Sequence, residues 1–153
     1  MAAQVKPVPD GYHTVTPYLV VDGAEKIIHF MKEAFGAQAT FEPMKRPDGK
    51  VMHAEFKIGD SIVMIADASE RAKATSAMLY LYVPNVDAVY QKALKAGGTS
   101  VMEPQDQFYG DRTGGVTDPA GNQWHIATHI EDVSPGEMEK RAANFIKQQH
   151  KAA

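Results

Sequence analysis

The chain has 153 residues, 44% of them hydrophobic and 23% charged, with a formal net charge of -3, which suits one well-filled globular core. No Lys/Arg-rich run offers an electrostatic grip on nucleic acid or an anionic membrane, and no apolar run approaches the ~20 residues needed to cross a bilayer. There is no cysteine, which removes disulfides, thiolate nucleophiles and cysteine-based zinc sites together, and the polar start up to Asp10 lacks the apolar stretch of a secretion signal, so a cytoplasmic protein is expected.

After an N-terminal extension over residues 1–12, Thr14 to Val21 is rich in β-branched and aromatic residues and predicts a strand, with Pro17 favouring an edge position. Asp22 with Glu25 three residues later has the spacing of a capping box. It opens a helix in which Ala24, Ile27, Ile28, Met31, Ala34 and Phe35 recur at helical spacing up to Gly36. Strands are predicted near Ala39 to Glu42, from Val51 to Ile58 and from Ser61 to Ala66, separated by turns at Pro47-Asp48-Gly49 and Gly59-Asp60. The unit spans residues 13–68 and reads β-α-β-β-β. A polar, alanine-rich linker follows over 69–76.

The same order then recurs. Tyr80-Leu-Tyr-Val repeats the character of Tyr18-Leu-Val-Val at a shift of 62 positions, which also lays Gly36 on Gly98 and Gly59 on Gly121 without a gap. The second unit, 77–130, has a strand from Ala77 to Val83, a helix capped by Asn85 and ending at Gly97-Gly98, and short strands near Thr99 to Met102 and Gly114 to Thr117. A last strand, Asn122 to His129, follows a turn at Asp118-Pro119-Ala120-Gly121. Residues 131–153 form a tail outside the repeat. Ser134-Pro135-Gly136-Glu137 opens a helix whose Met138, Ala142, Phe145 and Ile146 share a face and need an apolar surface to cover.

Two tandem units of this kind, the Asp118-Pro119-x-Gly121 turn and the Gly110-Asp111-Arg112 loop resemble the vicinal oxygen chelate superfamily, which holds glyoxalase I, bleomycin resistance proteins and extradiol dioxygenases. Thr14-Val-Thr-Pro-Tyr-Leu, Val51-Met-His-Ala-Glu, Gly59-Asp-Ser and Ile126-Ala-Thr-His129 look most like its PhnB-like group. The resemblance implies an α+β fold in which two βαβββ modules form a cup-shaped mixed sheet, here with a C-terminal helix added. It also implies a divalent ion held by His, Glu or Gln from the first and last strand of each unit. Those positions fall on Thr16, Met78 and His125, with Val63 as the fourth by strict register or Met64 with a slip of one. Only His125 is a good ligand, because thioethers and a hydroxyl give a hard cation almost none of the field it requires. No cofactor is therefore expected, a divalent metal being the alternative.

Strand parity assembles the candidate site. Met78, Tyr80 and Tyr82 point to one face and Leu79, Leu81 and Val83 to the other, while His125 and His129 share a side opposite Trp124 and Ile126. Thr16, Tyr18, Met78, Tyr80 and His125 are expected to line a partly aromatic concavity, with Phe108, Tyr109 and Arg112 closing over it. Arg112 has a second reading, a structural bond to Asp111 or a hairpin. His53 shares a face with Glu55 and Lys57, an acid–base pair or the polar side of a half-solvated strand. Four functions remain open: a homodimeric binding protein for a small molecule; a metal-independent enzyme with His125 as its catalytic group; a metal lyase or dioxygenase recruiting His53, Glu55 or His129; and an interaction protein that docks through the C-terminal helix.

Overall fold

A computed structural model describes residues 3–152. The first module comprises β1 (Tyr18–Val21), α1 (Ala24–Phe35), two short strands β2 (Gln38–Ala39) and β3 (Met44–Lys45), β4 (Val51–Ile58) and β5 (Ser61–Asp67). The second comprises β6 (Met78–Tyr82), α2 (Val86–Lys95), β7 (Thr99–Asp106), β8 (Asp111–Thr117) and β9 (Gln123–His129), and α3 (Pro135–Ala152) follows. Each module makes its own mixed sheet, in the order β1-β5-β4-β2 with β3 also on β4, and β6-β9-β8-β7. β1 runs parallel to β5 and β6 parallel to β9, so each module's first strand is an edge strand beside its last. The α+β architecture of tandem modules with a terminal helix is present, its sheet divided in two.

The two modules meet through their helices and the aromatic residues beneath them. Trp124 of β9 is wholly buried and packs on Phe35 at 4.9 Å and Phe30 at 6.2 Å between ring centroids, joining the second module's sheet to the first module's helix. Ile27, Met31, Phe56, Ile65 and Ile126 are buried in the same cluster. Burying each such side chain stabilises the fold by about 1.5–3 kcal/mol. On β6, Leu79 and Leu81 pack against this core while Met78, Tyr80 and Tyr82 stay exposed, as parity predicts.

Several local features differ from expectation. The first strand starts at Tyr18, not Thr14: Pro17 has no N–H to donate and only accepts, through its carbonyl, from Met64. Asp22 does not cap α1. The N-cap is Gly23 with a left-handed backbone, and the carboxylate of Asp67, at the end of β5, accepts from the amides of Gly23 and Ala24 while its other oxygen takes Val51 N–H. The expected strand near Ala39 to Glu42 is replaced by β2 and β3, and β7 and β8 are longer than predicted. α2 is capped by Asn85, whose side chain accepts from Ala88 N–H at 3.2 Å. α3 starts at Pro135, with Ser134 Oγ accepting from Glu137 N–H. None of the described residues of α3 is buried, and its apolar face meets the rest of the chain where Phe145 packs on Phe108 at 5.1 Å.

Repeat register is not gapless. Tyr18 pairs with Met64, and Tyr80, 62 positions later, pairs with His125, only 61 after Met64. Glu55 stands opposite Met64 as Gly115 stands opposite His125. Counted between these paired residues, the last hairpin is one residue longer in the second module, which restores one of the two positions lost before it. Met64 is therefore the structural counterpart of His125.

Candidate functional site

The edge strands β1 and β6 flank an open groove of about 1020 Å³ whose lining includes Tyr18, Met78, Tyr80, Tyr82, Phe35 and Trp124. Tyr18 and Tyr80 are each nearly half exposed and occupy equivalent positions in the two modules. Behind each tyrosine lies a different polar network.

In the first module the Tyr18 hydroxyl lies 2.7 Å from His53 Nδ1, and His53 Nε2 lies 2.9 Å from Glu55 Oε2. With Nε2–H directed at the carboxylate, Nδ1 presents the lone pair that accepts the Tyr18 proton. The other oxygen of Glu55 accepts from the Tyr12 hydroxyl. β4 alternation brings His53 and Glu55 to one face, and the segment through Pro7, Pro9 and Tyr12 folds across it over a second cavity of about 460 Å³ that also touches Thr16 and Met64. Glu55 is 7% exposed, and Phe41 stacks on the outer side of the His53 ring at 6.1 Å. Burial, followed by the Glu55 charge, raises the Tyr18 phenol above its ordinary value, and the hydrogen bond to Glu55 does the same to Tyr12.

In the second module the buried carboxylate is Asp111. Its Oδ2 accepts from Tyr80 at 2.8 Å and Tyr82 at 2.9 Å, and its Oδ1 meets His129 Nδ1 at 2.9 Å. His129 Nε2 meets Asp132 at 2.7 Å. Burial works against ionisation of Asp111, but the bonds from His129, Tyr80 and Tyr82 outweigh it and hold the carboxyl below its ordinary range. The bond to Asp111, then that to Asp132, raises His129. Tyr80 is raised by burial first, with Tyr109 and Asp111 adding to it, and its hydroxyl also touches Thr113 Oγ1 at 3.0 Å. Thr113 precedes Gly115 by two as His53 precedes Glu55, so Tyr80–Thr113 is the counterpart of Tyr18–His53.

The structure brings Tyr18, Met78 and Tyr80 to the groove. His125 stacks parallel to Tyr80, 6.4 Å and 4° apart, with Nε2 at 3.3 Å from Gln123 Oε1 and no carboxylate partner among the described residues. A Cβ on Gly115 would lie 3.5 Å from that ring. Thr16 belongs instead to the second cavity, where its hydroxyl donates to His13 O. Phe108 turns toward α3, with Tyr109 edge-on to it. Arg112 is not brought to the tyrosine face: it donates twice to Asp87 on α2 at 2.9 Å and once, across the β7–β8 hairpin, to Asp106 at 3.1 Å, so of its structural alternatives the hairpin bond is present and the bond to Asp111 is not. Tyr12 and Asp111 are the participants that sequence reasoning missed, while Tyr82, placed by parity on the same face as Tyr80, proves to be a second donor to Asp111. For His53 and Glu55 the signal was their shared parity on β4.

Thr16, Met64, Met78 and His125 do not fit a hard divalent ion, since His125 is the one nitrogen or carboxylate donor in that set. Among the described residues no group of three His, Cys, Asp or Glu side chains is placed to hold a metal.

A family model described as the glyoxalase/bleomycin resistance protein/dioxygenase superfamily matches residues 12–126. An uncharacterised protein of Mycobacterium bovis is 34% identical over 150 residues, covering 91% of this chain and 94% of the relative. TioX from Micromonospora sp. superposes with a TM-score of 0.60 at 21% identity, covering 76% of this chain and 99% of TioX. The fosfomycin resistance protein FosX from Mesorhizobium loti superposes with a TM-score of 0.57 at 15% identity, covering 82% and 95%. At these identities the two structures speak to the fold alone.

Proposed function

The chain belongs to the glyoxalase/bleomycin resistance protein/dioxygenase superfamily, and we propose that it binds a planar aromatic or amphipathic small molecule in the groove between β1 and β6 without a resident metal ion. One observation carries this reading: the equivalent tyrosines of the two modules, Tyr18 and Tyr80, line one groove together with Met78 and Tyr82. Half-exposed aromatic faces with hydroxyls already fixed by Glu55-linked and Asp111-linked networks lose little side-chain freedom when a ring stacks on them. Met78, the one of the family's ligand positions that lines this groove with a thioether, suits contact with an apolar ring better than a hard cation. A bleomycin-resistance-type role, sequestration of a small molecule, is supported on these grounds. Within the superfamily, the Val51-Met-His-Ala-Glu segment favours the PhnB-like group. A homodimer is part of the proposal, because Phe145 and Ile146 on α3 remain exposed along with the edges β1 and β6.

The test is a titration with 4-nitroanisole, a planar probe with no acidic proton, followed by backbone amide NMR. Shifts concentrated on β1 and β6, with affinity reduced about tenfold or more by Tyr80→Ala, support the groove. No perturbation of either strand rejects it.

A further inference from the structure

His53 is placed in a way that ligand binding alone does not require. It stands between a hydroxyl at the groove and a carboxylate shielded from water, with Tyr18 at 2.7 Å on one ring nitrogen and Glu55 at 2.9 Å on the other. Glu55 is fixed in turn by Tyr12 on its second oxygen. Neither His125 nor Thr113 has such a chain behind it: His125 meets the amide of Gln123, and Thr113 bears a hydroxyl that cannot hold an extra proton. Among the described residues the side chain of Lys57, two residues beyond Glu55 on the same strand, makes no hydrogen bond to Glu55 or His53, so this hydrogen-bonded chain ends at Glu55 and Tyr12.

We infer that Tyr18, His53 and Glu55 form a proton relay that deprotonates a groove-bound planar compound carrying one weakly acidic hydroxyl, leaving it bound as a delocalised oxyanion. The inference rests on the groove being the ligand site. As the ligand's hydroxyl proton passes to Tyr18 Oη, the proton already on Oη passes to His53 Nδ1. Tyr18 is a neutral phenol before and after, and its new O–H donates to the ligand oxyanion. His53 becomes an imidazolium that donates from Nε2 to the Glu55 carboxylate. Charge is conserved, since one anion forms on the ligand and one cation on His53, and no oxidant, reductant or metal enters. The high phenol pKa of Tyr18 suits it to pass a proton along without being stranded as phenolate. Tyr18 and His53 are the reacting groups. Glu55 is a positioning residue that fixes the His53 tautomer and steadies the imidazolium, and Tyr12 fixes Glu55.

The experiment uses the full chain and 4-nitrophenol, whose anion absorbs visible light, beside 4-nitroanisole, which cannot ionise. At a pH where free 4-nitrophenol is mostly neutral, the wild-type complex is expected to be enriched in the anion about tenfold or more, which is one pKa unit or more. NMR of the His53 ring should show the imidazolium in that complex and not in the 4-nitroanisole complex. His53→Gln, which lies behind the groove lining and is checked for an intact backbone spectrum, should still bind 4-nitroanisole and should return bound 4-nitrophenol to the neutral form; Tyr18→Phe, which alters the groove wall itself, should return whatever 4-nitrophenol it binds to the neutral form. Glu55→Gln should lower the anion fraction and weaken the imidazolium signature. Should the wild type bind 4-nitrophenol as the neutral phenol, or should the anion survive in His53→Gln, the relay is overturned while the groove stands. Should neither probe bind, the groove reading fails and the relay fails with it.

Discussion

The indole Nε1 of Trp124 donates to Oδ2 of Asp118 at 2.8 Å, tying the residue at the centre of the inter-module core to the turn that precedes its own strand. Asp118 is 4% exposed and also accepts from the Ala120 and Asn122 amides and from the Asn122 side chain. Asn122 Oδ1, in turn, accepts from Ala77 N–H at the entry to β6. One buried carboxylate thus sets the β8–β9 turn and, through Asn122, the start of the neighbouring parallel strand.

Asp118→Ala leaves several buried donors without an acceptor, each costing about 1–3 kcal/mol. A total loss of about 3 kcal/mol or more is expected, read from the urea midpoint of the full chain. A change below about 1 kcal/mol would show that water replaces the carboxylate at little cost.

The Asp111–His129 pair gives stability a pH dependence with a defined sign. His129 is raised above its ordinary 6.5 in the fold, so its contribution is complete below that value and fades as pH rises through the raised one. Asp111 is held below its ordinary 3.8, so its contribution is complete above that value and is lost as pH falls through the lowered one. The pair is therefore strongest between these two ordinary values. Thermal melts from pH 6 upward should show a decline in the wild type that His129→Gln flattens, and parallel curves for the two proteins would contradict the assignment.

Gly110 has φ +98°, and a Cβ there would stand 2.2 Å from Glu131 O. Its carbonyl accepts from both Ile130 and Glu131 amides, which docks the chain leaving β9 onto the β7–β8 turn. Gly110→Ala combines backbone strain with a backbone clash, and a loss of about 2 kcal/mol or more is expected, with amide shifts reaching residues 130–133. An alanine variant within experimental error of wild type would mean that the segment moves aside freely.

Truncation after Val133 removes α3, which has no buried side chain among its described residues and is tied to the rest of the chain by Arg141, paired with Glu131 and donating to Phe108 O. The remaining chain should unfold at a denaturant concentration close to that of the full protein, because exposed ion pairs of this kind contribute only about 0–1 kcal/mol. If α3 covers a second copy, light scattering of the truncated chain will show a smaller particle.

Much of this was legible from residue pattern. The alternation of Met78, Tyr80 and Tyr82 with Leu79 and Leu81 states which side of β6 meets the core, and Trp124 with Ile126 does so for β9. Tandem architecture followed from the order of strands, helices and glycines. What pattern does not carry is contact between distant positions. Asp22 has the local spacing of a cap, yet the capping carboxylate comes from Asp67, 45 residues away, because a parallel β1–β5 pair brings that strand end to the helix start. His53 and Glu55 share a face with Lys57, and parity alone leaves that set a solvated edge. The segment through Tyr12, which shields Glu55, is visible only in three dimensions. Likewise Arg112 sits beside the acidic Asp111 in sequence, but strand alternation turns it to the opposite side, where α2 supplies Asp87.

The near-repeat of Tyr18 over Met64 and Tyr80 over His125 gives the groove two matching aromatic walls with unlike backing: an imidazole and a carboxylate behind one, a hydroxyl and a doubly bonded aspartate behind the other. A scaffold with internal two-fold likeness would accept a guest in either of two orientations. On the proposed reading of the groove the two walls offer unlike partners, so a guest whose two ends differ is held one way round.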